Sequence, residues 1–152
     1  MQKAKTAEFE VFDASNWKIG IVLSQFNYHI TEELYKSALI TANKYKISGA
    51  NTNTVRVAGA AEIPLALKMM AETGRYNVLL AIGCIIRGET PHFDYVCKIA
   101  TEGILQVELE NKIPIGFGIL TTENEEQAVA RTNLSGEHLE AALQLAKSLE
   151  AL

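Results

Sequence analysis

Residues 76–95 read YNVLLAIGCIIRGETPHFDY, an apolar strand running through a glycine turn into a helix. The ten residues 78–87 contain one charge, at Arg87, which is the pattern of a strand covered on both faces. Gly88 breaks the run, Thr90 is suited to cap a helix and Pro91 to its first turn, so a helix is predicted to begin at Pro91 and run to about Asn111. Its first turn leaves backbone N–H groups of Glu89, Thr90 and the next residues unpaired, with the positive end of the helix dipole facing outward. Such a corner is either a plain strand-to-helix turn or an anion site, and His92 lies within it.

Working outward, residues 18–24 (KIGIVLS) form a first strand, and Gln25, Phe26 and Asn27 turn the chain. A helix over residues 30–45 follows, with Leu34, Ala38, Ala42 and Tyr45 on one face. A second strand covers residues 52–57 and a second helix 62–72, with Pro64 in its opening turn and Gly74 at its stop. Residues 115–120 form a fourth strand, then a short helix covers 124–130 and a longer one 135–150. Strands one, three and four are continuously apolar, and strand and helix alternate regularly. The prediction is an α/β fold: a three-layer α/β/α sandwich around a four-stranded parallel sheet. Ligands of such sheets bind off the carboxyl ends of the strands, where residues 24–27, 58–62, 85–92 and 120–124 converge.

The chain has 152 residues, 48% hydrophobic and 21% charged, with a net charge of −4. One domain over residues 1–152 is expected, without linker or repeat. The acidic balance and the absence of a basic run argue against nucleic acid or an anionic membrane as partner. The opening residues carry no apolar signal region and no run is long enough to span a bilayer, so a cytoplasmic location is expected. Cys84 and Cys97 read as buried thiols, and His29, His92 and His138 are too scattered to suggest a metal site. Phosphate-loop, dinucleotide, nucleophile-elbow and zinc-protease motifs are all missing from the sequence.

What remains at the carboxyl edge is a helix N-terminus, one histidine, one aromatic and one carboxylate, a set suited to a small phosphorylated molecule. Each has a plainer reading. Phe26 is either a packing residue or a stacking platform; Glu62 either complements a helix dipole or faces a ligand. Arg131 is either a helix C-terminal cation or, placed near residues 88–90, one arm of a phosphate clamp.

SQFN at 24–27, AGAAEIP at 58–64, IRGETPHFDY at 86–95, FGILT at 117–121 and EQAVAR at 126–131 occur in that order. On these pieces the chain resembles the lumazine synthase family of riboflavin biosynthesis over residues 18–149. The resemblance implies a flavodoxin-like fold and condensation of 5-amino-6-(D-ribitylamino)uracil with 3,4-dihydroxy-2-butanone 4-phosphate. The products are 6,7-dimethyl-8-ribityllumazine, phosphate and water, and no redox cofactor or metal is implied. By the same resemblance His92 is the general acid/base, Phe26 stacks on the pyrimidine, and Ala60, Ala61 and Glu62 meet the ribityl chain and ring edge. Backbone groups of Ile85 and Ile86 read the uracil edge; Glu89 and Thr90 amides hold phosphate with Arg131, which an adjacent subunit supplies together with Phe117. Glu140 matches a site-facing glutamate of the family.

The resemblance further implies homopentamers with sites between subunits, which in some members build 60-subunit icosahedral shells, and a riboflavin synthase partner. Residues 1–13 are read as an N-terminal arm, in which Phe9 to Phe12 alternate in character and add as a strand to a neighbouring subunit's sheet. The family carries a GNKG-like run after the arginine, whereas this chain reads RTNLSGEHLEAA and is shorter, so that Glu137 falls at the place of the family's lysine. Ala58 and Ala61 stand where the family more often has proline and a bulkier side chain. These departures leave two alternatives to turnover: a weakened relative that binds lumazine or flavin, and a shell-forming subunit.

Overall fold

The computed structural model describes residues 8–152. The strands are β1 (Ile19–Ser24), β2 (Thr52–Val57), β3 (Val78–Ile86) and β4 (Ile115–Thr122). The helices are α1 (Tyr28–Lys44), α2 (Ile63–Glu72), α3 (His92–Asn111), α4 (Glu125–Val129) and α5 (Leu134–Leu149). All strand pairs are parallel, in the order β2-β1-β3-β4. This is the expected three-layer α/β/α, flavodoxin-like architecture.

The unbroken apolar run of β3 explains its central place. Val78, Leu79, Leu80, Ala81 and Ile82 are fully buried, and burying each larger side chain of this kind contributes about 1.5–3 kcal/mol. Alternate residues feed two cores. Leu80, Ile82 and Cys84 pack with Leu34 and Ala38 of α1, Ala128 of α4 and Leu139 of α5. Leu79, Ala81 and Ile85 pack with Ile63 and Leu67 of α2 and with Ala100 and Ile104 of α3.

Several boundaries differ from those expected, each for a local reason. The third helix starts at His92 and not at Pro91, whose φ of −64° suits a helix but whose ψ of −3° does not. Thr90 caps it poorly, its hydroxyl accepting from the His92 N–H at 3.4 Å. The second helix is preceded by a 3₁₀ turn, Ala60–Glu62. Strand β4 continues to Thr122 because Thr121 and Thr122 pair with Ile85 and Ile86. It is also less covered than its apolar sequence implied: it lies at the sheet edge, with Phe117 38% exposed and Thr121 exposed.

Of the predicted N-terminal arm, residues 1–7 lie outside the described residues, and residues 8–12 form no strand within this chain. Phe12 does find a partner in its own chain. Its ring centroid lies 5.1 Å from that of Trp17 and 5.0 Å from that of Tyr45, and the Glu10 carbonyl accepts from Gln144 Nε2. Tyr45 is fully buried, so its hydroxyl needs partners. It donates to Glu140 Oε2 at 2.8 Å and lies 2.9 Å from Gln144 Nε2.

Burial is the main cause that pushes the Tyr45 phenol up to about 12 from its ordinary 10, with the Glu140 carboxylate adding to the effect. Because the folded state favours the neutral phenol, this stabilisation is complete below pH 10 and is lost as pH rises towards 12. Tyr45→Phe should therefore cost about 1 kcal/mol near neutral pH and narrow its gap to wild type above pH 10. Urea midpoints measured across that range check this; parallel pH slopes for the two proteins would contradict it.

Candidate active site

The sheet order creates a crevice before any side chain is considered. Chain connections leave β1 through α1 on one face and reach β3 through α2 on the other, so the β1–β3 boundary is the topological switch point where such sheets bind ligands. Pairing between those strands ends at Leu23 and Ile82, while β3 runs on to Ile86 with β4 as its strand neighbour. The β1-facing backbone edge beside Ile85 and Ile86 thus lacks a strand partner, which makes a notch lined by amide groups.

Asn27 and Phe26 close the other side of that notch. Asn27 adopts a left-handed conformation (φ 58°), which asparagine tolerates better than most residues, and its Nδ2 donates to the Cys84 carbonyl at 3.0 Å. The Phe26 N–H donates to the Ala58 carbonyl at 2.8 Å, tying its loop to the end of β2. The Phe26 ring is 66% exposed and rests on Gly59, where a Cβ atom would come within 2.6 Å of it. Gly59 is needed here for space. Ala60 is buried, Ala61 half-buried and Glu62 exposed. Glu62 accepts from the Gly59 N–H at 2.9 Å, so its carboxylate braces the wall beneath Phe26.

The third wall is the loop from β3 to α3. Residues 87–92 are exposed throughout, and His92, the first residue of α3, is held by its backbone with its imidazole free to meet solvent. The loop's N–H groups at Glu89 and Thr90 precede a 20-residue helix, whose dipole favours an anion there. The nearby thiols are poor nucleophiles. Burial pushes Cys84 up to about 11, and burial together with Asp94 raises Cys97.

Within one chain, then, the structure gathers Phe26, Ala60, Ala61, Glu62, Ile85, Ile86, Glu89, Thr90 and His92 along one edge. Three further residues named from the sequence lie elsewhere. Phe117 is opposite Ala81 in the sheet, four positions before the Ile85–Thr121 pair and so about 13 Å back from the edge. Arg131 follows α4, whose Ala128 packs on the α1/α5 side of the sheet; its guanidinium donates to the Gln127 carbonyl at 2.7 Å. Glu140 is held by Lys44 and Tyr45 at the far end of α1, a 17-residue helix of about 25 Å from the Phe26 loop. Glu137 is exposed in the first turn of α5, beside a groove of about 270 Å³ that Lys44 and Glu140 also line. Lys147, about three turns further along α5, pairs with Glu150 and does not offset the Glu137 charge.

Asn27 and Gly59 hold this geometry, and the sequence alone assigns neither a role in the site. Asn27 and Gly59 lie inside the quoted SQFN and AGAAEIP pieces, but their roles depend on partners brought by other strands. Among the described residues, no group of three or more His, Cys, Asp or Glu side chains is placed to hold a metal ion. No helix is long and apolar enough to cross a membrane among the same residues.

These features define a parallel α/β protein with a ligand crevice at its switch point. The model of the 6,7-dimethyl-8-ribityllumazine synthase family matches residues 16–150 of the 152, and the chain belongs to that family. Among solved structures, the chain is similar to the Bordetella bronchiseptica enzyme WbmH in complex with NAD+, at 13% identity and a TM-score of 0.36. That likeness covers 83% of this chain and 52% of the other, so the chain spans about half the length of that structure. At that score it carries no weight for fold or function.

Proposed function

We propose that the chain condenses 5-amino-6-(D-ribitylamino)uracil with 3,4-dihydroxy-2-butanone 4-phosphate to give 6,7-dimethyl-8-ribityllumazine. The observation that carries this reading is the meeting, on one sheet edge, of the unpaired β3 backbone, the exposed Phe26 ring and the His92 loop. A uracil edge is a planar row of donors and acceptors. Backbone groups at Ile85 and Ile86 suit it, while Phe26 offers a face for the ring. The ribityl chain then runs along Ala60, Ala61 and the Glu62 turn.

The second substrate brings a phosphate dianion, for which the Glu89 and Thr90 amides supply neutral donors. A cation is still needed. One chain leaves Arg131, Phe117 and Glu140 away from its own notch, and the proposal assigns Arg131 and Phe117 to a neighbour's notch across the interfaces of a homopentamer. The N-terminal arm is proposed to pair with an exposed sheet edge of an adjacent subunit, β2 and β4 being the two outer strands. Assembly into a 60-subunit shell and a riboflavin synthase partner are proposals drawn from the resemblance, and the cytoplasmic location expected from the sequence is proposed with them.

The chemistry is imine formation between the amine and the ketone, elimination of phosphate, and ring closure. Each carbon–nitrogen double bond formed between amine and carbonyl expels water, so protons must be delivered to departing oxygen and removed from nitrogen and carbon. An imidazole, whose ordinary pKa is near 6.5, can do both near neutral pH, which makes His92 the general acid/base. Much of the acceleration comes from holding both substrates together, because their encounter then becomes effectively unimolecular.

His92→Ala should keep the fold, since the side chain is exposed, and slow condensation by roughly ten- to a thousandfold. Lumazine absorbance or fluorescence after mixing the two substrates gives the rate. Unimpaired turnover would remove His92 from the mechanism, and no lumazine from the wild type would remove the assignment. Charge reversal at Glu137 tests the departure after Arg131. Glu137→Lys should raise the rate at low butanone phosphate by up to about tenfold, or roughly 1.4 kcal/mol, because one partly screened repulsion becomes an attraction. An unchanged rate would place Glu137 outside the field of the phosphate, and a clear loss would show that its carboxylate has a role of its own.

A further inference from the structure

Arg87 is the one lysine or arginine in the four segments that meet at the carboxyl edge. It is not aimed at open solvent. Its backbone N–H donates to the Thr122 carbonyl at 2.9 Å, continuing the β3–β4 ladder by one step. Its Nε donates to Glu123 Oε2 at 2.7 Å and its Nη1 to Asp94 Oδ1 at 3.4 Å. The guanidinium also lies over the Phe93 ring, 4.3 Å from its centroid, and Phe93 in turn packs against the α2/α3 core. One side chain therefore joins the end of β3, the start of the β4–α4 turn and the first turn of α3.

Between these anchors the loop has little else to hold it. Residues 88–92 are exposed, and a Cβ atom at Gly88 would touch nothing within 4 Å. The local ties are the long contact from the His92 N–H to Thr90 Oγ1 and the Asp94 N–H bond to the Pro91 carbonyl. Exposed ion pairs stabilise a fold little, and Arg87 lies outside both cores. What its contacts fix is the path of the loop. A planar guanidinium can stack on a ring and donate along its edge at the same time, which an ammonium cannot.

We infer that Arg87 is a positioning residue, which clamps residues 88–92 so that the Glu89 and Thr90 amides and His92 address one substrate together. This rests on the proposed condensation. Arg87 touches neither substrate in this reading and acts through the loop, so its effect falls on the phosphate-bearing substrate and on turnover, not on the pyrimidine notch.

Three variants and one measurement without substrate test it. Arg87→Ala should lower kcat/KM for the butanone phosphate about ten- to a hundredfold, as expected for catalytic groups displaced by about an ångström. The KM for the pyrimidine should stay within about twofold and the melting temperature close to wild type. Arg87→Lys should recover only part of the loss. Glu123→Gln separates clamping from simple charge: loss of a clamp partner raises the KM for the phosphate substrate, whereas removal of a nearby anion would lower it. In the protein alone, amide exchange at Asp94 should quicken at least tenfold in Arg87→Ala. Unchanged kinetics for both substrates, a lower phosphate KM in Glu123→Gln, or unchanged exchange at Asp94 would each overturn the inference. A wild-type protein that makes no lumazine would fell the proposed reaction instead, and the exchange measurement would still decide whether the clamp exists.

Discussion

The constraint on which the molecule turns is the unequal length of its two central strands. β1 stops at Ser24 and β3 continues to Ile86, so the last residues of β3 are paired on the β4 side and open on the other. Buried backbone that lacks a partner is costly, and the protein offsets that cost in two ways. Asn27 takes the Cys84 carbonyl, and the groups beyond it stay at the rim, where water or a ligand can satisfy them. The notch is therefore a consequence of strand register, and the site residues are those that the two adjoining loops bring to it.

The rigid and the adjustable parts of the site divide along the same line. Phe26 is fixed by a backbone bond to Ala58 and by the Gly59 surface under its ring, so the aromatic wall belongs to the sheet. The His92 loop has no such bed. Its order comes from polar contacts of Arg87, Glu123 and Asp94 at the edge of the core, which hold a path without burying it. A loop proposed to meet substrate needs this arrangement, because packing strong enough to bury it would also close it to substrate.

Much of the fold was legible because its signals are local. The unbroken apolar run of β3 announces a doubly covered strand, and the spacing of Leu34, Ala38 and Ala42 announces a helix with one buried face. Boundaries failed where a neighbour decides them. β4 reaches Thr122 because β3 is long enough to pair with it, and α3 starts one residue late because Pro91 lacks a helical ψ. Phe12, read from the sequence as part of an arm reaching a neighbour, packs on Trp17 and on Tyr45, which the docking of α1 brings to it. The site was legible as a set of motifs. Its contacts were not, because Asn27, Gly59 and Arg87 act through residues from other strands, and Glu140 is drawn to Tyr45 by the docking of α5 on α1. Nor does a motif say which copy of the chain it serves.

That last question has a direct answer in a mixing experiment. His92→Ala and Arg131→Ala chains, each impaired alone, can be unfolded, combined in equal amounts and refolded together. If one subunit supplies the His92 loop and its neighbour supplies Arg131, about a quarter of the interfaces in the mixed assembly will carry both intact groups. Lumazine formation should then rise well above that of either parent, towards a quarter of the wild-type rate. Activity that stays at the mean of the two parents would place His92 and Arg131 in a site belonging to a single chain, and would contradict the shared site.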